Sequence, residues 1–142
     1  ATPGLALTQA ILKKLDNRQD VTIFLQNHGI VVSGPSLRMA YEMHEGITAT
    51  IRKAYPNIGE FGGMDKSIEN LSVNGLLFPD QAIYHSSPEL ANSRAGRETM
   101  LAYLFIMKGI KKAGLTPCFI DDAESRLLLN MESEKFRQRL VK

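Results

Sequence analysis

An α/β fold is what this sequence predicts, and three features predict it. Val21-Thr22-Ile23-Phe24-Leu25 is short, uncharged, β-branched and aromatic, the composition of a buried strand. Ile30-Val31-Val32 is a second such run, closed by Ser33-Gly34-Pro35. The polar break Asn27-His28-Gly29 stands between them, and an amphipathic run from Leu37 to Tyr55 follows. With 142 residues, 44% of them apolar and 23% charged, the chain has the length and make-up of one globular domain. Its net charge of +2 is spread along the sequence, which argues against a nucleic acid or an anionic membrane as partner. Cys118 is the sole cysteine, so there is no internal disulfide, and a reducing compartment is expected. No apolar run reaches the roughly 18 residues of a membrane span, and no secretory leader is read. The expected location is the cytoplasm.

The elements follow in order. After Pro3-Gly4, the spacing of Leu5, Thr8, Ile11, Leu12 and Leu15 predicts a helix with Lys13 and Lys14 outside. Asp16 to Asp20 is a polar connection into the first strand. Ser36 suits a helix N-cap. The helix Leu37–Tyr55 is predicted to turn Leu37, Ala40, Tyr41, His44, Ile47, Thr48, Ile51 and Tyr55 inward, until Pro56-Asn57 ends it. Residues 57–70, with Gly59, Gly62 and Gly63, read as a loop. One or two short strands are expected between Leu71 and Tyr84, the better one at Gln81 to Tyr84. Ser86 and Glu89 have capping-box spacing around Pro88, which predicts a short helix to Asn92. Glu98 to Ala113 reads as a buried helix with Gly114 beyond its end, and Met100 to Met107 as its internal stretch. Pro117 to Ile120 is extended. Asp121 and Glu124 open a further helix that breaks or continues at Asn130. A last helix spans Met131 to Val141, with Met131, Phe136, Leu140 and Val141 available for packing.

Among residues with chemistry, His28 comes first. A turn between two strands can aim an imidazole with little loss of order. Gly29 permits close approach beside it, and Asn27 can hold the loop through its side-chain amide. His44 lies on the apolar side of the next helix, either as a hydrogen-bonded core histidine or as a substrate or second-sphere contact. Asp80 is a turn residue or lines a cleft. Gly59 to Gly63 lacks the strand before it and the Lys-Ser/Thr after it that a phosphate loop needs. Cys118 has no activating histidine beside it in sequence.

Leu25-Gln26-Asn27-His28-Gly29, with Gly34 five residues on, resembles the class II aldolase/adducin family and its Leu-x-Asn-His-Gly-x-x-x-x-Gly segment. The likeness extends from Pro3-Gly4 to the helix carrying Ala40. Phe78-Pro79-Asp80-Gln81 and the ending Asn130 to Arg137 resemble the longer members related to rhamnulose-phosphate aldolase/dehydrogenase fusions. The resemblance implies part of a three-layer α/β/α sandwich with a mostly antiparallel sheet, the chain forming the C-terminal portion of that domain. Within residues 1–142, 1–56 would be the helix-strand-strand-helix piece and 57–142 a helical region. It also implies zinc, with His28 as a ligand and Asn27, Gly29 and His44 as substrate or second-sphere candidates. The zinc would serve retro-aldol cleavage of a phosphorylated sugar. The family's His-x-His pair is absent, since His28, His44 and His85 are the only histidines, and Thr48 stands where many members have glutamate. The chain alone would then be inactive, its remaining zinc ligands supplied from elsewhere. The alternatives are a non-catalytic, adducin-like assembly module or an unrelated small α/β binding domain. The expected partners are a second copy or the chain's own N-terminal portion, and a sugar phosphate if it is an enzyme.

Overall fold

In the computed structural model, residues 4–15, 20–56, 58–59, 61 and 74–140 are described. The chain divides into two compact units, Ala1–Pro56 and Asn57–Lys142.

The first unit runs α1 (Leu5–Leu12), β1 (Val21–Leu25), β2 (Gly29–Ser33) and α2 (Leu37–Ala54). The strands pair antiparallel, Val21 opposite Ser33 and Leu25 opposite Gly29, leaving a three-residue loop. Asn27 takes the left-handed φ of 63° and Gly29 a φ of 121°. An asparagine tolerates the first conformation and a glycine the second, so the turn follows from this residue order. Ser36 caps α2, its Oγ accepting from the Met39 N–H at 3.2 Å, and α2 packs on β2. Gly34 lets the two approach: a Cβ there would lie 3.2 Å from the Ala40 nitrogen.

The second unit is helical: α3 (Pro79–Tyr84), α4 (Pro88–Asn92), α5 (Arg94–Lys112), α6 (Asp122–Asn130) and α7 (Glu132–Leu140). Side-chain caps start most of them. Ser87 accepts from Leu90 N–H, Ser93 from Gly96 N–H, and Asp121 from Glu124 N–H at 2.7 Å. At the end of α5, Gly114 has φ 67°; its N–H donates to Lys111 O, and Leu115 N–H donates to Ile110 O. That pair of bonds is a Schellman closure. Helix α3 packs against α5, α6 and α7. Ala82, Ile83, Ile120 and Leu128 form the core, with Leu76, Leu129 and Met131 against it. Ile83 is 1% exposed and Leu128 2%; full burial of each is worth about 1.5–3 kcal/mol.

Several expectations are corrected. The three-layer α/β/α sandwich is not the architecture. The described residues are mostly helical, and their sheet is a single open two-stranded hairpin. The strand expected at Gln81 to Tyr84 is helix α3. Four apolar-flavoured residues do not distinguish strand from helix; Pro79 in the first turn, with its φ pre-set, decides it. Among the described residues of this unit, extended pairing is confined to a single bridge, Leu76 with Ile120. The helix start at Ser86 moves by one residue. Ser87 directly precedes Pro88 and reaches the Leu90 N–H, while Ser86 Oγ donates to Ile83 O at the end of α3. Phe136 and Leu140 are exposed instead of packed, and Val141 lies outside the described residues.

Candidate functional site

The hairpin turn carries the strongest of the sequence candidates. His28 N–H donates to Leu25 O at 3.0 Å, which closes the loop. Its ring is half-buried, with Nδ1 3.0 Å from Gln26 O. A carbonyl only accepts, so Nδ1 carries the proton and Nε2 bears the lone pair. Nε2 is shielded from solvent and has no hydrogen-bond partner among the described residues. That is the tautomer and orientation of a metal-binding imidazole. Asn27 and Gly29 act on this ring through the backbone, by the two positive φ values that set the turn.

One imidazole is not a metal centre. A catalytic zinc takes three protein ligands and keeps one position open. Among the described residues, no group of three His, Cys, Asp or Glu side chains could hold a metal ion. With the sandwich absent as well, the zinc-dependent class II aldolase reading is overturned. The adducin-like module goes with it, since it shares the same frame.

The other candidates take different places. His44 is not a core histidine: its side chain is 47% exposed on α2, with Nδ1 3.5 Å from Glu45 Oε1. His85 caps the end of α3, and its Nε2 lies 3.2 Å from Gly96 O, a structural contact to the start of α5. Asp80 does not stand alone at a cleft. It accepts from Arg137 Nη2 at 2.5 Å, while Arg137 Nη1 lies 3.2 Å from Glu134 and the guanidinium sits 5.5 Å from the Tyr84 ring centre. The hydrogen bond that Arg137 donates to Asp80 pushes the Arg137 pKa further up, so the group is a permanent cation tying α7 to α3. Cys118 is exposed.

Two features were not read from the sequence. The first is a cleft of about 400 Å³ between α1 and β1, lined by Ala10, Ile11, Lys14, Leu15, Val21, Thr22 and Ile23. Its size is that of a small-ligand site, but only Lys14 and Thr22 bring polar side chains. None of His28, Asn27, Gly29 and His44 lines it. The second is the state of the first unit, in which no described residue is buried. Leu5, Leu12, Phe24, Leu37 and Tyr41 are each more than 60% exposed. Phe24 pairs with Ile30 and Val31 with Ile23, so Phe24 and Val31 lie on opposite faces of the hairpin, and both are exposed. The apolar alternation that signals strands does not say whether anything covers them.

No helix among the described residues is long and apolar enough to cross a membrane. No protein-family model matches the chain, and neither a curated protein nor a solved structure does.

Proposed function

We propose that this chain is a self-associating binding module. Residues 57–142 serve as the scaffold, and the hairpin with α1 and α2 serves as the docking element. The carrying observation is the contrast in burial. Every buried side chain among the described residues, from Leu77 to Leu128, belongs to the second unit, while the first exposes large apolar groups on its helices and on both hairpin faces. A two-stranded hairpin is marginal by itself, and contiguous exposed apolar surface marks an interaction site. Burying that surface gains about 25 cal/mol per Å², and a second copy is a partner that brings an equal need.

Kinship of about the first 55 residues with the class II aldolase/adducin family remains a proposal about ancestry. Asn27-His28-Gly29 between two strands supports it, and it carries no activity.

Light scattering across the micromolar range tests the function. A dimer or larger assembly that dissociates on dilution is expected. A monomer throughout would end the reading.

A further inference from the structure

Asn74-Gly75 is the one place in the chain where an asparagine precedes a glycine, and the fold accounts for only half of that pair. Gly75 is required. A Cβ there would lie 2.7 Å from the Phe119 ring, and the Gly75 carbonyl accepts from Gln81 Nε2 at 3.2 Å. The Asn74 side chain is not required in the same way. It is exposed, and among the described residues its amide has no hydrogen-bond partner. Turns often select asparagine for a left-handed φ, but among the described residues only Asn27 takes one outside glycine. What is held at Asn74 is its backbone: the N–H donates to Tyr103 Oη at 3.2 Å, a bond open to any residue but proline.

We propose that Asn74 is a site of spontaneous modification, where the side-chain amide cyclises onto the Gly75 nitrogen and hydrolyses to isoaspartate and aspartate, and that the second unit loosens as this happens. Hydroxide takes the proton of the Gly75 N–H, and the nitrogen attacks Asn74 Cγ. The N–Cγ bond forms, the Cγ–Nδ2 bond breaks, and Nδ2 leaves as ammonia with a proton returned by water. Water then adds to one of the two carbonyls of the cyclic imide. Opening at Cγ gives aspartate. Opening at the main-chain carbonyl of residue 74 gives isoaspartate, whose main chain runs through Cβ and Cγ. In sum, an amide and a water become a carboxylate and ammonium, with no oxidant, cofactor or partner consumed. The reaction is intramolecular and independent of self-association.

Two features favour the reaction at this bond. Glycine puts no Cβ beside the attacking nitrogen, so its approach is uncrowded. The Gly75 N–H has no hydrogen-bond partner among the described residues, so none has to break before the proton leaves. Asn92 and Asn130 lack the first feature, since Ser93 and Met131 follow them. Position gives the change its effect. Gly75 stands directly before the Leu76–Ile120 bridge and before Leu77, whose N–H Gln81 holds at 2.8 Å. Isoaspartate inserts a carbon into the main chain between the Asn74 N–H on Tyr103 and the Gly75 carbonyl on Gln81. The two anchors then no longer match the length of chain between them.

The test ages the full chain in mildly alkaline buffer and maps its peptides by mass spectrometry. Conversion at Asn74 is expected to run at least about tenfold faster than at Asn92, a barrier difference of about 1.4 kcal/mol. The isoaspartate form, separated by ion exchange, should melt at least about 4 °C below the fresh chain, the effect of losing one half-buried hydrogen bond in a unit of this size. Asn74→Gln, whose longer side chain closes the ring far more slowly, should keep its fresh melting temperature through the same ageing. Conversion of Asn74 no faster than that of Asn92, or conversion seen only in urea, would overturn the site. An isoaspartate form that melts with the fresh chain would overturn the loosening, and so would an equal fall in the aged Asn74→Gln chain.

Discussion

Replacing Gln81 by leucine should be among the most damaging single changes in the second unit. Gln81 is fully buried at the third position of α3. Its Oε1 accepts from the Leu77 N–H at 2.8 Å, and its Nε2 donates to Gly75 O at 3.2 Å. The amide thus fastens the segment before α3 onto the helix, beside the Leu76–Ile120 bridge. Leucine fills nearly the same volume and leaves both backbone groups without this partner. The buried bond to Leu77 costs about 1–3 kcal/mol when its acceptor is removed, and the half-buried one to Gly75 about 0.5–1.5 kcal/mol. The sum is about 1.5–4.5 kcal/mol, from which little is returned because leucine replaces a side chain already out of water. For a unit of this size the melting temperature should fall by at least about 6 °C. Urea unfolding, followed by circular dichroism, is the assay, and the midpoint should drop with the slope unchanged. A loss below about 0.5 kcal/mol, the level of an ordinary surface change, would refute the clamp and mean that water or a shifted backbone takes over both bonds.

Two further outcomes concern packing and charge. Gly96→Ala should destabilise by about 1–3 kcal/mol or more, because a Cβ there would lie 2.2 Å from Leu90 O and 2.5 Å from Ala91 O; an unchanged melting curve would show that the α4–α5 corner can open. The Arg137–Asp80 pair, with side chains 40% and 55% exposed, should give a coupling of no more than about 1 kcal/mol in a double-mutant cycle of Arg137→Ala with Asp80→Ala. A coupling well above that would mean the pair is less hydrated than its exposure indicates.

What could be read from the sequence was what is local. Ser36 before Leu37, Gly114 after Lys112 and Asp121 before Asp122 each mark a helix end through one side chain or one φ, and each sits at a helix end in the structure. The hairpin was readable for the same reason, since Asn27 and Gly29 tolerate the φ values that its turn requires. The larger architecture was not. A three-layer sandwich depends on strands pairing across long separations, and nothing in residues 21–33 specifies a third strand. The likeness of that segment to a family supplied the rest of the sheet, and the described residues do not contain it. The short apolar run at Gln81 to Tyr84 failed differently, because strand and helix accept it equally until Pro79 is weighed. At the candidate site, the turn placed His28, but among the described residues no His, Cys, Asp or Glu side chains gather to join it as metal ligands.

The helix α2 shows where periodicity stops being informative. Eight residues from Leu37 to Tyr55 recur at i+3, i+4 and i+7 from one another, and a single inward stripe is the simplest reading of them. They make two faces instead. Ala40 and Ile47, with Met43, are half-buried, whereas Leu37, Tyr41, His44, Ile51 and Tyr55 stand open. A helix stripe about 100° wide suffices to pack on a hairpin, and this one is wider. Exposed tyrosine, leucine and isoleucine along one line lose free energy to water at every position, and a sequence that only had to fold would replace them with charge. Arg38, Glu45 and Arg52 show that charge is tolerated one position away on the same helix. The periodicity therefore fixes where the apolar side chains lie on α2 and does not say what covers them.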